Sequence, residues 1–391
     1  MTTEIAFVAP FGLGQKTTVW ARTLPLAKVL VTQGYHVTIV IPPWDTPADS
    51  GRVWEDGGVR LINVALRGGL PAVLWRLVRT LDELNPDIVH IVKPRAHAGL
   101  VQWWLWQRRR WQGKGPRILL DVDDWEQAWA AINHYPQPVA RFLAWQEEWG
   151  ICHADGITAA SHWLVERVHR YTPATPVLYL PNGVTAAPAP PTVQPPSPTN
   201  QILFYSRYVE VQPAWLADFW RALHAREPTA TLVVFGDALQ PDRPARFRAA
   251  MADRAPSATA QVTWQPYDAA LVDPLYATSH CAIFPAEQTP LHQAKCSVRL
   301  ATTLLRGLPV VASAVGEQQQ YGAAGAAELV NANATPQQFA AAVAAVLADP
   351  QSYQARQQEA RPRLLQTYRW EMWGSALVNF YHEQATDPVR D

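Results

Sequence analysis

Short apolar runs alternate with longer amphipathic stretches along most of this chain. Residues 5–9, 36–41, 59–64, 88–92 and 118–122 read as strands. Between them, residues 20–33, 71–84 and a tryptophan-rich stretch ending near Trp111 read as helices. After the segment 139–151 come a strand at 156–159, a helix at 163–171 and a strand at 177–180. Strands regularly separated by helical stretches predict parallel sheets with crossover helices.

The texture breaks at residues 186–198, where proline density excludes both a helix interior and a central strand and favours extended geometry. Beyond it the alternation restarts, with strands at 202–205, 231–235, 262–264, 282–284, 310–312 and 328–330. Helices are expected at 213–225, 317–321 and 336–347, and a helical tail over 351–383 breaks near Tyr368. A chain of 391 residues exceeds one ordinary core, so two domains are expected. The fold class is therefore α/β: two Rossmann-like, doubly wound parallel-sheet domains facing a central cleft, with ligands at the carboxyl ends of the strands.

Charge and cysteine content narrow the partners. Lys plus Arg and Asp plus Glu both number 33, so no chain-wide field exists to hold nucleic acid or an anionic surface, and charged partners must be met locally. The three cysteines are widely spaced and form no disulfide framework or zinc pattern, which fits a reducing cytoplasm. The first residues lack a signal-peptide pattern, and no apolar run reaches the roughly 18 residues of a spanning helix. A cytoplasmic protein, at most peripheral at the inner face of a membrane, is the expectation.

Several segments carry chemistry. Gly12 and Gly14, followed by Lys16, invite a phosphate-loop reading, but Gln15 stands where that motif needs glycine. What survives is a backbone able to approach a ligand, with amides aimed at negative charge; the alternative is a plain strand-to-helix turn. Asp123 and Asp124 fall where a strand should end, placed for sugar hydroxyls, base chemistry or a metal, or simply for capping the next helix. Lys295, Ser297 and Arg299 open a predicted helix whose free amides and cations would attract an anion; a solvated helix face is the alternative. Tyr267, after a strand, is placed to border a nucleobase. Trp103, Trp104, Trp106 and Trp111 lie beside Arg108, Arg109, Arg110 and Lys114. This is either a crossover helix packing indoles on its sheet or an interfacial helix docking on a membrane.

The ordered set Gly12-Leu13-Gly14, Asp87-Ile88-Val89-His90, Leu180-Pro181-Asn182-Gly183-Val184, Phe204-Tyr205-Ser206-Arg207 and Gly307-Leu308-Pro309-Val310-Val311-Ala312-Ser313 resembles the family-4 glycosyltransferases, which are GT-B enzymes. The resemblance spans nearly the whole chain. It implies an acceptor-side domain over 1–185, a linker over 186–199, a donor domain over 200–368, and a last helix, about 369–391, crossing back to the first domain. It also implies a nucleotide-sugar donor held without metal or other cofactor, and retention of anomeric configuration. His90 would contact a donor-sugar hydroxyl, with Lys93, Arg95 and His97 nearby, unless it is a satisfied core histidine. Arg207 would grip the donor diphosphate.

Departures from the family pattern fall in the donor site. Gln212 stands where a partner lysine is usual, and Thr302 and Ala294 stand where relatives carry glutamates, leaving Glu287 as a substitute for the first of these. Lys295 and Arg299 are expected to offset the missing charge. The expected function is transfer of a sugar to a glycan, lipid-linked or small-molecule acceptor, with a non-catalytic nucleotide-sugar or glycan-binding relative as the alternative. No nucleic-acid partner is expected.

Overall fold

In this computed structural model the described residues are 3–14, 18–185 and 199–386, with side chains to 383. Lys16 and the proline-dense 186–198 segment lie outside them. The chain divides into two compact units: Met1–Gly183 with Ala294–Cys296 and Tyr368–Asp391, and Val184–Gln293 with Ser297–Thr367.

The first unit is built on β1 (Glu4–Val8), β2 (His36–Ile41), β3 (Val53–Asp56), β4 (Val59–Asn63), β5 (Ile88–Val92), β6 (Arg117–Val122), β7 (Gly156–Ala159) and β8 (Val177–Tyr179). Its sheet runs β3-β4-β2-β1-β5-β6-β7-β8 and is parallel except for the β3–β4 pair. Parallel strands covered on both faces read as continuous apolar runs, and Ile5, Phe7, Ile39, Ile88 and Ile91 are all buried. The antiparallel β3 is an element the sequence reading missed. Gly57 and Gly58, with φ of +60° and +80°, supply the two-residue turn that folds it back on β4.

One face of this sheet carries helix Leu24–Thr32 packed against the last helix, Trp370–Thr386. Ile5, Leu30, Leu377, Phe380 and Tyr381 share that core. Helices Gly69–Leu84, Ala96–Gln112 and Gln137–Cys152 lie side by side in sequence order. In the middle one, Ala98, Val101, Gln102 and Leu105 are buried, whereas Trp104 and Trp111 are exposed. The tryptophan cluster thus divides: Trp103 and Trp106 are half-buried, whereas Trp104 and Trp111 are not packed on the sheet and stand exposed.

The second unit contains β9 (Gln201–Tyr205), β10 (Thr231–Phe235), β11 (Val262–Gln265), β12 (Cys281–Phe284), β13 (Val310–Ser313) and β14 (Glu328–Val330). They form one sheet ordered β11-β10-β9-β12-β13-β14, with every pairing parallel. Phe204, Phe219, Trp220, Phe247 and Phe339 fill its core. The strand order reverses beside β9, so the loops after β9 and β12 open at a topological switch point, where such sheets place ligands.

Candidate functional site

In the second unit the loop after β9 builds the centre of the site. Tyr208 has a left-handed backbone, φ +61°, which turns successive amides toward one point. The Glu210 carboxylate occupies that point. It accepts from the Ser206 hydroxyl at 2.7 Å, from Arg207 N–H at 3.0 Å and from Val209 N–H at 3.0 Å. Arg299, on helix Val298–Leu305, donates to the same carboxylate at 2.8 Å and to the Tyr205 carbonyl at 2.7 Å, and its guanidinium lies over the Tyr205 ring. Arg207 sits close enough that, after burial, the Arg299 charge is the next influence lowering its affinity for a proton.

Tyr267 is 46 % exposed and stacks on Tyr205 with ring centres 6.3 Å apart, while Phe235 closes the shelf from beneath at 5.7 Å. Burial pushes the Tyr205 phenol up to about 12, so it remains a neutral, planar surface. Of the residues expected to bind a donor, Arg207, Arg299 and Tyr267 thus lie on connected elements. Ser297 caps helix Val298–Leu305 through its bond from Leu300 N–H, and Thr302 is half-buried on that helix. Lys295 belongs to the first unit, its ammonium over the Trp129 ring at 4.7 Å, so the expected trio of cations is divided between units. Arg299 is also the counter-ion of Glu210, a carboxylate of the chain itself, so part of its charge is matched from within. Glu287, expected to substitute for the first family glutamate, accepts from Gln212 N–H at 3.1 Å and so steadies the start of helix Pro213–His224.

In the first unit the carboxyl ends of β5 and β6 carry a dense ionic cluster. Lys93, buried and with φ +65°, places its ammonium 3.0 Å from Asp123, 3.0 Å from Asp124 and 3.2 Å from Glu126. Arg95 also binds Glu126 and the Tyr135 hydroxyl. Burial works to raise the Glu126 carboxyl, yet Lys93 and Arg95 outweigh it and hold it below the usual range. Asp123 differs: burial, resisted by Lys93 and reinforced by Asp124, pushes it up to about 7. Glu147 takes the N–H groups of Glu126 and Gln127 at 2.7 and 3.1 Å, and burial followed by the Glu126 charge pushes it up to about 8. Among the described residues no group of three His, Cys, Asp or Glu side chains has metal-holding geometry.

His90 is corrected most sharply. It lies inside β5, fully buried, stacked on Phe7 and bonded to the Tyr381 hydroxyl at 3.0 Å and to Thr158 at 3.3 Å. Burial lowers it to about 4, with Arg22 acting in the same direction and Asp121 against it. Its ring faces Tyr381 of helix Trp370–Thr386 from the middle of a central strand, so this histidine is a satisfied core group. Lys93 and Arg95, the cations expected beside it to meet a phosphate or an acidic acceptor, are held by carboxylates of the chain.

The glycine loop is also occupied from within. Gly12 and Gly14 N–H donate to the Asp45 carboxylate at 2.5 and 3.1 Å. A Cβ on Gly12 would stand 2.5 Å from Thr46 Oγ1, and one on Gly14 would stand 2.6 Å from Asp45 Oδ2. The amides do point at negative charge, but that charge is Asp45. The sequence reading missed Arg22, Asp45, Glu147 and Glu210, because each acts on a partner far along the chain or through a local backbone turn. Arg22 and Asp121, separated by 99 positions, form a buried bidentate pair with bonds of 2.8 and 2.7 Å.

Comparison with known families and structures agrees with this architecture. Residues 17–183 match the description "Glycosyl transferase 4-like domain", and residues 199–349 match "Glycosyl transferases group 1". A sucrose-phosphate synthase from Thermosynechococcus elongatus is similar at 18 % identity and a TM-score of 0.72, over 97 % of this chain and 98 % of that one. A glycosyltransferase from Rickettsia africae is similar at 15 % identity and a TM-score of 0.71, over 99 % and 100 %. Anabaena HepE in complex with UDP-glucose gives 13 % and 0.70, over 97 % and 99 %. At such identities the structures speak for the fold alone. Among curated proteins, no sequence matches significantly.

Proposed function

The chain belongs to the family-4-like, group 1 glycosyltransferases of the GT-B fold, a nucleotide-sugar-dependent family, and on that premise we propose that it moves a hexosyl group from a nucleoside-diphosphate sugar to a glycan, lipid-linked or small-molecule acceptor, with retention of configuration. The observation that carries this reading is the loop after β9, where Arg207 adjoins Arg299 beside the Tyr205–Tyr267 shelf. In this assignment the nucleobase lies along the shelf and Arg207 meets the diphosphate. The acceptor side belongs to residues 1–185, with residues 186–199 as linker and residues 200–368 as donor domain.

The chemistry needs little beyond charge stabilisation. As the bond from the anomeric carbon to the diphosphate breaks, negative charge gathers on the leaving oxygen, and a guanidinium already in place lowers that barrier without reorganisation. The acceptor oxygen attacks from the face the diphosphate leaves, and its proton passes to the departing phosphate. Asp123, neutral or ionised near pH 7, and Asp124 are assigned to hydroxyl recognition. HepE has been captured with UDP-glucose, which makes a uridine diphosphate sugar the first donor to test here.

A non-catalytic, nucleotide-sugar-binding role is the second reading. Glu210 neutralises Arg299, and Gln212 and Thr302 replace a cation and an acid of the family pattern. Donor hydrolysis and transfer across a nucleotide-sugar panel separates the two. If Arg207 stabilises the leaving group, Arg207→Ala should lower kcat/KM by about 100-fold or more, the usual cost of losing one preorganised donor. Tight donor binding with no turnover on any acceptor would leave the binding role standing.

A further inference from the structure

More than half of the exposed large apolar side chains among the described residues fall on the three neighbouring helices Gly69–Leu84, Ala96–Gln112 and Gln137–Cys152 of the first unit. Trp75 is 57 % exposed, Trp111 72 % and Trp104 37 %. Trp104 and Trp111, seven positions apart and so on one helix face, meet edge to face with ring centres 6.5 Å apart. A separate row of rings joins the second helix to the third: Trp106 meets His153 at 5.2 Å, His153 stacks on Trp149 at 4.2 Å, and Trp149 lies 6.2 Å from Trp145. Isolated exposed rings need no explanation, but exposed indoles concentrated on two adjacent helices of one layer do.

The charge pattern says what would cover it. Although the whole chain is neutral, every charged side chain from Ile88 to Leu120 is a lysine or an arginine. Arg108 pairs with Asp82 on the adjacent helix, and Arg79 pairs with Glu83 at 2.8 Å while lying over the Trp75 ring at 5.3 Å. Arg110 and Lys114 remain exposed, with no ion pair among the described residues. Indoles with a wet edge, interleaved with long cationic side chains, suit the headgroup layer of a bilayer, where rings enter the acyl boundary and cations meet lipid phosphates. A second copy of the chain would have to bring matching acids, and the two on this face, Asp82 and Glu83, are already paired with Arg108 and Arg79 of the same face.

We propose that the outer face of helices Gly69–Leu84 and Ala96–Gln112 docks on an anionic lipid surface through Trp75, Trp104 and Trp111, with Arg110 and Lys114 supplying charge attraction. Among the described residues no helix is long and apolar enough to cross a membrane, so the proposed attachment is peripheral and reversible. The inference is independent of the donor loop and holds or fails whatever the protein transfers.

Co-sedimentation of the full chain with vesicles tests it, using phosphatidylcholine alone or phosphatidylcholine mixed with phosphatidylglycerol. Binding is expected only to the anionic vesicles and should fall as salt rises. Arg110→Glu with Lys114→Glu should weaken it by at least about tenfold, given the contribution of each basic residue near an anionic surface. Trp75→Ser with Trp104→Ser and Trp111→Ser should abolish it, while the thermal midpoint and the solution turnover of a water-soluble acceptor stay unchanged. Failure to bind anionic vesicles would overturn the proposal, as would binding that ignores the charge reversal. A wild-type dimer in light scattering that the tryptophan variant converts to monomer would also overturn it, because the face would then belong to a second copy of the chain.

Discussion

Glu210 shows how much a single carboxylate can organise. It is buried and receives a hydroxyl, two backbone amides and a guanidinium, so the loop that carries Arg207 and the Arg299 side chain both compensate its charge. Replacing it with glutamine removes a negative charge near a proposed anion site, and Coulomb's law alone would make anion binding tighter. The amide group, however, turns a donor toward amides and a hydroxyl that need an acceptor, and it releases Arg299. Leaving such groups unsatisfied costs about 1–3 kcal/mol each. Glu210→Gln is therefore expected to weaken pyrophosphate binding, measured by calorimetry, with partial recovery in Glu210→Asp; tighter binding by the glutamine variant would show that Glu210 acts as a plain counter-charge. None of this could be read from the segment Arg207-Tyr208-Val209-Glu210. The arginine was legible, because it follows a strand. The carboxylate was not, because its role depends on a positive φ at Tyr208 that no residue type announces. His90 failed for a related reason: a histidine written near a strand end does not say whether its ring faces the edge or the helix layer.

Among elements, the regular ones were legible because each strand here is a short apolar run and each crossover helix is long. The exceptions are instructive. The hairpin strand Val53–Asp56 was missed although Asp56-Gly57-Gly58 is a turn signal, because its residues are only half-buried and show no apolar run. Helix Glu126–Ile132 was offered only as an alternative, with Asp123 or Asp124 as its cap, and its N-cap is Trp125 instead. The last helix completes the first unit rather than trailing from it. Trp370, Leu377, Phe380 and Tyr381 are buried, and the ring of Trp370 lies against Gly183 so closely that a Cβ there would stand 2.3 Å from it. The glycine in Leu180-Pro181-Asn182-Gly183-Val184 thus has a packing reason: it leaves room for the indole that fixes the start of helix Trp370–Thr386. Gly183→Ala should displace that ring, cost about 1–3 kcal/mol as overpacking does, and speed amide exchange in residues 370–383 more than in β9 to β14. Equal exchange in both regions would show that the indole finds another seat.

At the scale of the whole molecule, a chain with no net charge conceals a strong internal contrast. Three strongly displaced buried groups of the first unit, His90, Glu147 and Asp123, pull stability in opposite directions with pH. His90, lowered to about 4 from an ordinary 6.5, binds fewer protons folded than unfolded across that interval. Its contribution is present above 6.5 and is lost as pH falls through 4. Glu147, raised to about 8 from 4.5, and Asp123, raised to about 7 from 3.8, bind more protons folded than unfolded. Their contributions are complete near pH 4 and are lost as pH rises through 7 and 8, each group adding a slope of about 1.4 kcal/mol per pH unit within its window. Glutamine resembles a protonated glutamate in shape and cannot ionise. In Glu147→Gln the alkaline loss from this site should disappear, so urea midpoints of variant and wild type should nearly coincide at pH 4.5 and diverge in favour of the variant up to pH 9. Parallel curves over that range would mean that Glu147 ionises in the folded protein as readily as in water. The buried carboxyl would then be stabilised by the amides of Glu126 and Gln127 more than burial and the neighbouring Glu126 charge disfavour it.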